Sequence, residues 1–114
     1  MFEEWFKKQR EVDDYILNKF NESVPMYEYD HDHFLQERIL ALMTEVGEFA
    51  NSTRCFKYWS EKRPESRERQ LDEFADILAF VGSIPSAMGW SEEEVEKAYL
   101  NKSEINIKRQ EEGY

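Results

Sequence analysis

The sequence has few of the residues that interrupt helices or cross-link chains. Its 114 residues include only 4 glycines, 3 prolines and one cysteine, Cys55. One cysteine cannot form an intrachain disulfide, so we expect the reducing cytoplasm as the compartment. The scarcity of turn residues disfavours many short strands and favours long helices. At this length we expect one domain, residues 1–114.

Long apolar segments and blocks of basic residues are also missing. No apolar run reaches the length of a membrane span, and we expect no signal peptide at the N-terminus. The chain has 25 acidic and 15 basic residues, a net charge of −10. Such a chain repels nucleic acid and anionic membranes, so we expect neither as a partner. The acidity indicates either plain solubility or a cluster of carboxylates that needs cations.

Apolar periodicity predicts four helices, over about residues 2–20, 34–52, 67–84 and 91–110. The third is expected to end near residues 86–89. The connection 21–33 contains Pro25, and the irregular segment 53–66 is broken by Pro64. Ser91 and Glu94 have the spacing of a capping box at the start of the fourth helix. Short connections between four helices predict an all-α four-helix bundle, alone or completed by oligomerisation.

The second predicted helix is apolar on two sides. One side carries a stripe of Leu35, Ile39, Leu42, Val46 and Phe49. The other side combines Phe34 and Ala41 with acidic residues. Because one bundle of this size leaves such helices poorly covered, we expect self-association, a homodimer first and a tetramer second.

Two of the predicted helices each carry a pair of acids at i, i+3 spacing: Glu45 and Glu48, then Glu73 and Asp76. This spacing puts both carboxylates of a pair on one face. In so acidic a chain each pair alone is weak support for a site. Asp76, however, is the only charge in FADILAFVGSI, and the first pair follows the apolar ILALM. Burying such carboxylates requires a compensating partner.

Two kinds of partner could compensate these four acids. The nearest basic residues, Arg38 and Arg69, could form a salt-bridge network. A divalent metal is the better explanation, because all-carboxylate sites suit Mg²⁺, with Mn²⁺ as an option. The absence of histidine among the four argues against zinc. His31 and His33 are expected to be solvent-exposed rather than ligands.

The first helix places two polar residues inside its apolar stripe. Gln9 and Asp13, at i, i+4, lie between Phe6 and Ile16. Buried polar groups are hydrogen-bonded, so a side-chain network across the bundle is one interpretation. Recognition of a nucleotide base is the other, because a glutamine amide offers a donor and an acceptor together.

These patterns resemble a known superfamily. ExxE on one helix followed by ExxD on a later one is similar to the all-α NTP pyrophosphatases, which include MazG-like enzymes and dimeric dUTPases. The segments TEVGEFAN, CFKYW, DEFADILAF and YLNKSEINIKRQEEGY resemble the dimeric dUTPase branch most. The resemblance implies Mg²⁺-dependent hydrolysis of dUTP, with dUDP as an option, to dUMP and pyrophosphate.

The resemblance also implies roles for individual residues. All four acids would hold the metal, and either Glu45 or Glu48 would orient or deprotonate the attacking water. Ser103 departs from the family, which usually shows asparagine there. The residues at positions that contact substrate in the family are Gln9, Asp13, Lys57, Trp59, Lys102, Asn106 and Arg109.

Two other functions fit the same sequence. One is a MazG-like diphosphatase with another or a broader base preference, which the short length favours. The other is a non-enzymatic helical module that binds a partner through Trp5, Trp59 and Trp90.

Overall fold

A computed structural model describes residues 1–23 and 31–113, with side chains for residues 1–19 and 34–113. These residues form four helices and no strand, which confirms the all-α prediction: α1 (Glu3–Ser23), α2 (His31–Thr53), α3 (Arg67–Met88) and α4 (Glu92–Glu111). None of the described helices is long and apolar enough to cross a membrane. The expected exposure of His31 and His33 lies outside the described side chains.

Helices α2 and α3 form the central antiparallel pair. The Phe49 and Phe74 rings meet edge-on with centroids 5.5 Å apart, and the guanidinium of Arg38 lies 5.9 Å from the Phe80 ring. Positions further along α2 therefore meet positions earlier in α3. The half-buried residues of α2 include Phe34, Arg38, Ala41, Leu42, Glu45 and Phe49.

The packed side of α2 differs from the predicted apolar stripe. Ile39 and Val46 are 42% and 48% exposed, whereas Glu45 lies on the half-buried side. Periodicity identifies an apolar side but does not say which of two such sides faces the neighbouring helix. In this chain the side that carries the acid faces α3.

Helix α3 ends at Met88, within the predicted stop at residues 86–89, and Pro85 lies within its last turn. Gly89 ends the helix in the left-handed conformation, with φ of 71°. Its N–H donates to the carbonyl of Ser86 (3.2 Å), and the N–H of Trp90 donates to that of Pro85 (2.9 Å). This pair of bonds is a Schellman motif. The predicted capping box of α4 at Ser91 is confirmed.

Helix α1 packs on the C-terminal half of α3 through a tryptophan and a glycine. Nε1–H of Trp5 donates to the carbonyl of Leu78 (3.0 Å), and the Phe6 ring centroid lies 5.1 Å from that of Trp5. A Cβ atom added to Gly82 would lie 2.7 Å from Trp5 Nε1. Glycine is therefore required for this close approach. Trp5 packs within the chain, which removes it from the predicted three-tryptophan surface.

Helix α4 lies at the periphery and contributes no buried residue among those described. Two ion pairs attach its first half: the N-terminal ammonium to Glu96 (3.2 Å) and Arg10 to Glu92 (3.7 Å). The radius of gyration is 17.7 Å, against about 13 Å for a compact domain of about 100 residues. A single chain is therefore more extended than a closed bundle.

We predict that Gly82→Ala destabilises the protein by about 1–3 kcal/mol, because the new methyl group displaces the Trp5 ring and weakens its hydrogen bond. Gly47→Ala is the matched control. It lies on α2 with no atom within 4 Å of an added Cβ, and we expect a gain of about 0.5–1 kcal/mol. Urea unfolding measures both. Equal effects of the two substitutions would contradict the contact at Gly82.

Candidate active site

The four predicted acids meet between α2 and α3. Carboxylate oxygens of Glu45, Glu73 and Asp76 lie within 4.8 Å of one another. Glu48, one turn beyond Glu45, is close enough for its charge to act on both Glu45 and Glu73. The antiparallel packing thus converts two separate i, i+3 pairs into one group, which we call the carboxylate cluster.

The cluster is open to solvent on one side. Glu45 and Glu73 are partly buried, whereas Asp76 is exposed. The sequence suggested a buried Asp76, but its neighbours Phe74 and Leu78 are themselves 45% and 37% exposed. In a single chain α2 covers one side of α3 and α1 covers its C-terminal half, which leaves the side of Asp76 open.

The buried part of the cluster lacks hydrogen-bond partners. Oε2 of Glu45 and Oε2 of Glu73 are both buried, and neither has a partner among the described residues. Burial raises the pKa of Glu45, and the adjacent carboxyl group of Glu48 raises it further. Burial likewise raises the pKa of Glu73, followed by the charge of Glu48. Unpartnered carboxylate oxygens of this kind suit a hard divalent cation.

Salt bridges compensate little of this charge. Arg69 Nη2 lies 3.3 Å from Glu73 Oε1, but the arginine side chain is 59% exposed. The other candidate, Arg38, points its guanidinium at the ring of Phe34, with 4.6 Å between carbon and centroid. One exposed arginine among the described residues faces four carboxylates, so the predicted salt-bridge network is not formed.

A second polar group lies where α1 meets α3. Asp13 is only 6% exposed and accepts two hydrogen bonds, from Gln9 Nε2 to Oδ1 (3.0 Å) and from Ser83 Oγ to Oδ2 (2.5 Å). Ser83 is fully buried. Sequence reasoning identified Gln9 and Asp13 but missed Ser83, although it is the hydroxyl in the apolar run AFVGSI. This network orients the amide of Gln9 and leaves its carbonyl oxygen available.

One face of α3 joins these two groups. Glu73, Asp76, Phe80 and Ser83 follow at i, i+3, i+7 and i+10, which places them along one side of the helix. Seven residues separate Asp76 from Ser83, a rise of about 10 Å. The carboxylate cluster therefore lies at one end of this face of α3 and the Asp13 network at the other, and we call the surface between them, around Phe80, the groove.

The two substrate-binding candidates in the segment that connects α2 to α3, Lys57 and Trp59, pack against neighbouring aromatic residues. Lys57 Nζ lies 5.5 Å from the centroid of the Phe56 ring. Trp59 is 65% exposed and meets the rings of Phe56 and Tyr58 edge-on. No contact among the described residues joins Lys57 or Trp59 to the carboxylate cluster.

The three candidates on α4, Lys102, Asn106 and Arg109, are exposed. The side chains of Lys102 and Asn106 form no hydrogen bond or ion pair with other described residues. The structure therefore gathers the predicted acids into one cluster and, separately, joins Gln9 to Asp13. The α4 candidates belong to neither group.

Fold and cluster together define a class: an all-helical protein whose central antiparallel helices carry acids suited to a divalent cation. The sequence model of a family described as dUTPase matches residues 1–88 and 83–114, which together span the chain. The protein belongs to this family.

One curated relative is a dCTP pyrophosphatase of Enterobacteria phage T4. It is 26% identical over 96 residues, which cover 70% of this chain and 56% of the phage protein. The chain thus matches a little over half the length of that relative. No solved structure matches the chain significantly.

We predict that Mg²⁺ or Mn²⁺ raises the melting temperature at pH 7. Because the folded-state pKa of Glu45 and of Glu73 is raised, the metal-free fold loses stability as pH rises above the ordinary glutamate value of 4.5. A bound cation offsets this loss, by about 3 kcal/mol at a hundredfold excess over its dissociation constant. At pH 5 protons compete with the cation, so the shift shrinks.

Glu45→Gln and Asp72→Asn form a matched pair for this measurement. Glu45→Gln should raise the metal-free melting temperature at pH 7 and remove most of the cation-dependent shift, because one buried charge is gone. Asp72→Asn, at an exposed position of α3, should leave both unchanged. An equal cation shift in Glu45→Gln and the unmodified protein would contradict a metal site at the cluster.

Proposed function

We propose that the protein is an Mg²⁺-dependent nucleoside triphosphate diphosphatase that hydrolyses dUTP to dUMP and pyrophosphate, with dUDP, which would yield dUMP and phosphate, as a secondary substrate. The observation that carries this proposal is the carboxylate cluster with its two buried, unpartnered oxygens. Membership of the dUTPase family and the similarity to a phage dCTP pyrophosphatase support the reaction class. We place it in the cytoplasm, since Cys55 is an exposed free thiol.

The four acids have two tasks in this proposal. Glu48, Glu73 and Asp76, with Glu45, would hold the cation, which when bound supplies positive charge to the phosphate oxygens. Glu45 or Glu48 would accept a proton from the attacking water.

The base would lie at the other end of the groove. Asp13 accepts one hydrogen from the Gln9 amide, so a second Nε2–H and the carbonyl oxygen remain for the base. Uracil offers an N–H beside a carbonyl oxygen, which matches that donor–acceptor pair. We further propose that Lys57, Lys102 and Arg109 contact the triphosphate, whose charge their cations would balance. Asn106 would contact the phosphates or the sugar, and Trp59 would flank the base.

A dCTP diphosphatase is the second candidate. The phage relative favours it, and so does the chemistry of Gln9. Cytosine also presents a donor, its amino group, beside an acceptor, the ring N3. A glutamine amide can pair with either base edge, so base preference has to be measured.

Turnover of dUTP, dCTP, dTTP, dATP and dGTP with Mg²⁺ tests this proposal. We expect dUTP to give the highest kcat/KM, with monophosphate and pyrophosphate as products. Comparable rates on dCTP and dTTP would reject the dUTP preference, and no turnover of any nucleotide would reject the enzyme.

Glu48→Gln should lower kcat by about a hundredfold or more, because it removes a ligand and a possible base. The control is Glu68→Gln, an exposed acid in the first turn of α3, which should keep full activity. Product formation from the preferred nucleotide, measured by phosphorus NMR, checks both. Full activity of Glu48→Gln would contradict its place in the site.

We also propose that the protein works as a homodimer, with a tetramer as the alternative. Among the described residues only Phe6, Pro85 and Ala87 are buried apolar side chains. The outer side of α2 exposes a continuous apolar strip of Ile39, Leu40, Met43 and Val46. An exposed strip of this kind on a chain with so small a core requires a second subunit to cover it.

Leu40→Glu should convert the dimer to a monomer, because the introduced charge would be buried at the interface. Tyr15→Glu, at an equally exposed aromatic position on α1, should remain dimeric. Sedimentation velocity over a dilution series measures both. A Leu40→Glu protein that sediments like the unmodified protein would contradict an interface on this side of α2.

A further inference from the structure

Arg38 lies in the groove between the carboxylate cluster and the Asp13 network. It precedes Glu45 by seven residues and so shares its side of α2. Its guanidinium carbon lies 4.6 Å from the centroid of Phe34 and 5.9 Å from that of Phe80. Phe80 follows Asp76 on α3 by four residues, a rise of about 6 Å. The Phe80 ring that the guanidinium approaches therefore lies about one helical turn beyond the cluster on α3.

The cation of Arg38 has no acidic partner among the described residues. Its Nε is buried and makes no hydrogen bond. Other arginines of this acidic chain do find carboxylates: Arg69 pairs with Glu73 (3.3 Å) and Arg10 with Glu92 (3.7 Å). A buried unpartnered donor costs free energy, and contact with two aromatic rings offsets only part of it.

Arg38 is also the only basic residue among positions 34–53 of α2. The wall of the groove that carries Glu45 and Glu48 thus has one positive charge, held by rings rather than by an acid. An anion that enters the groove would give this guanidinium the partner it lacks. A planar guanidinium can bind two phosphate oxygens at once.

We propose that Arg38 binds the phosphate group attached to the nucleoside, which stays on the monophosphate product. This inference rests on the proposed function. With the terminal phosphates at the carboxylate cluster and the base at the Asp13 network, the first phosphate lies between them, opposite Phe80. Arg38 reaches this position from α2. It binds substrate and product in the same way and is a binding residue rather than a base.

Isothermal titration in Mg²⁺ tests this role with three ligands of the preferred base: the α,β-imido triphosphate, the monophosphate and the nucleoside. For dUTP these are the imido analogue, dUMP and deoxyuridine. Arg38→Gln should weaken the two phosphorylated ligands by about ten- to a hundredfold, because one charged hydrogen-bonding group is lost. Binding of deoxyuridine should be unchanged. Arg38→Lys should give an intermediate loss of affinity, since lysine keeps the charge but cannot bind two phosphate oxygens at once with a planar group.

Arg67→Gln is the control, because it removes the same charge from an exposed position on α3 and should bind all three ligands like the unmodified protein. Circular dichroism establishes that each variant is folded. If Arg38→Gln binds dUMP normally, or weakens deoxyuridine as much as dUMP, the inference is overturned and Arg38 only packs against the rings. An unmodified protein that hydrolyses no nucleotide overturns the proposed function instead.

Discussion

Mutual repulsion among four carboxylates is the constraint on which the rest of the structure depends. Glu45, Glu73 and Asp76 approach within 4.8 Å, and two of their oxygens are buried without a hydrogen-bond partner in the part of the chain that the structure describes. An arrangement of this kind is unfavourable for the isolated chain, because each ionised group raises the cost of ionising the next. This repulsion destabilises the packing of α2 against α3, which is the most extensive contact among the described helices. In the proposed site, stability and function would therefore oppose each other in the same pair of helices until a cation binds.

The same balance explains how positive charge is distributed in the groove. Arg69 sits at the outer edge of the cluster, where solvent weakens its effect on Glu73. Arg38 stays among aromatic rings and is kept away from the acids. A buried arginine paired with Glu45 would satisfy the isolated chain but would occupy the place of a cation. The separation of the carboxylates from Arg38 thus fits a site whose negative charge is neutralised by a bound cation.

The sequence was sufficient for the helices and for the acids, and insufficient for most of what surrounds them. The i, i+3 spacing of Glu45 with Glu48 fixes their common face, because helix geometry is local. The hydrogen bond from Ser83 to Asp13 spans 70 positions, and nothing local in the sequence indicates it. Ile39 was expected in the packed stripe and is exposed, because periodicity does not choose between two apolar sides. The end of α3 was predicted near residues 86–89, where Gly89 stops the helix.

Helix α3 sets the distance between the two ends of the groove, because one of its faces carries Glu73, Asp76, Phe80 and Ser83. One residue inserted between Asp76 and Ser83 would rotate everything beyond it by about 100° and would point the serine away from α1. The interval of seven residues therefore resists changes in length. Variation in the length of this protein is expected in the segment between α2 and α3 and beyond α4, where no such register has to be kept.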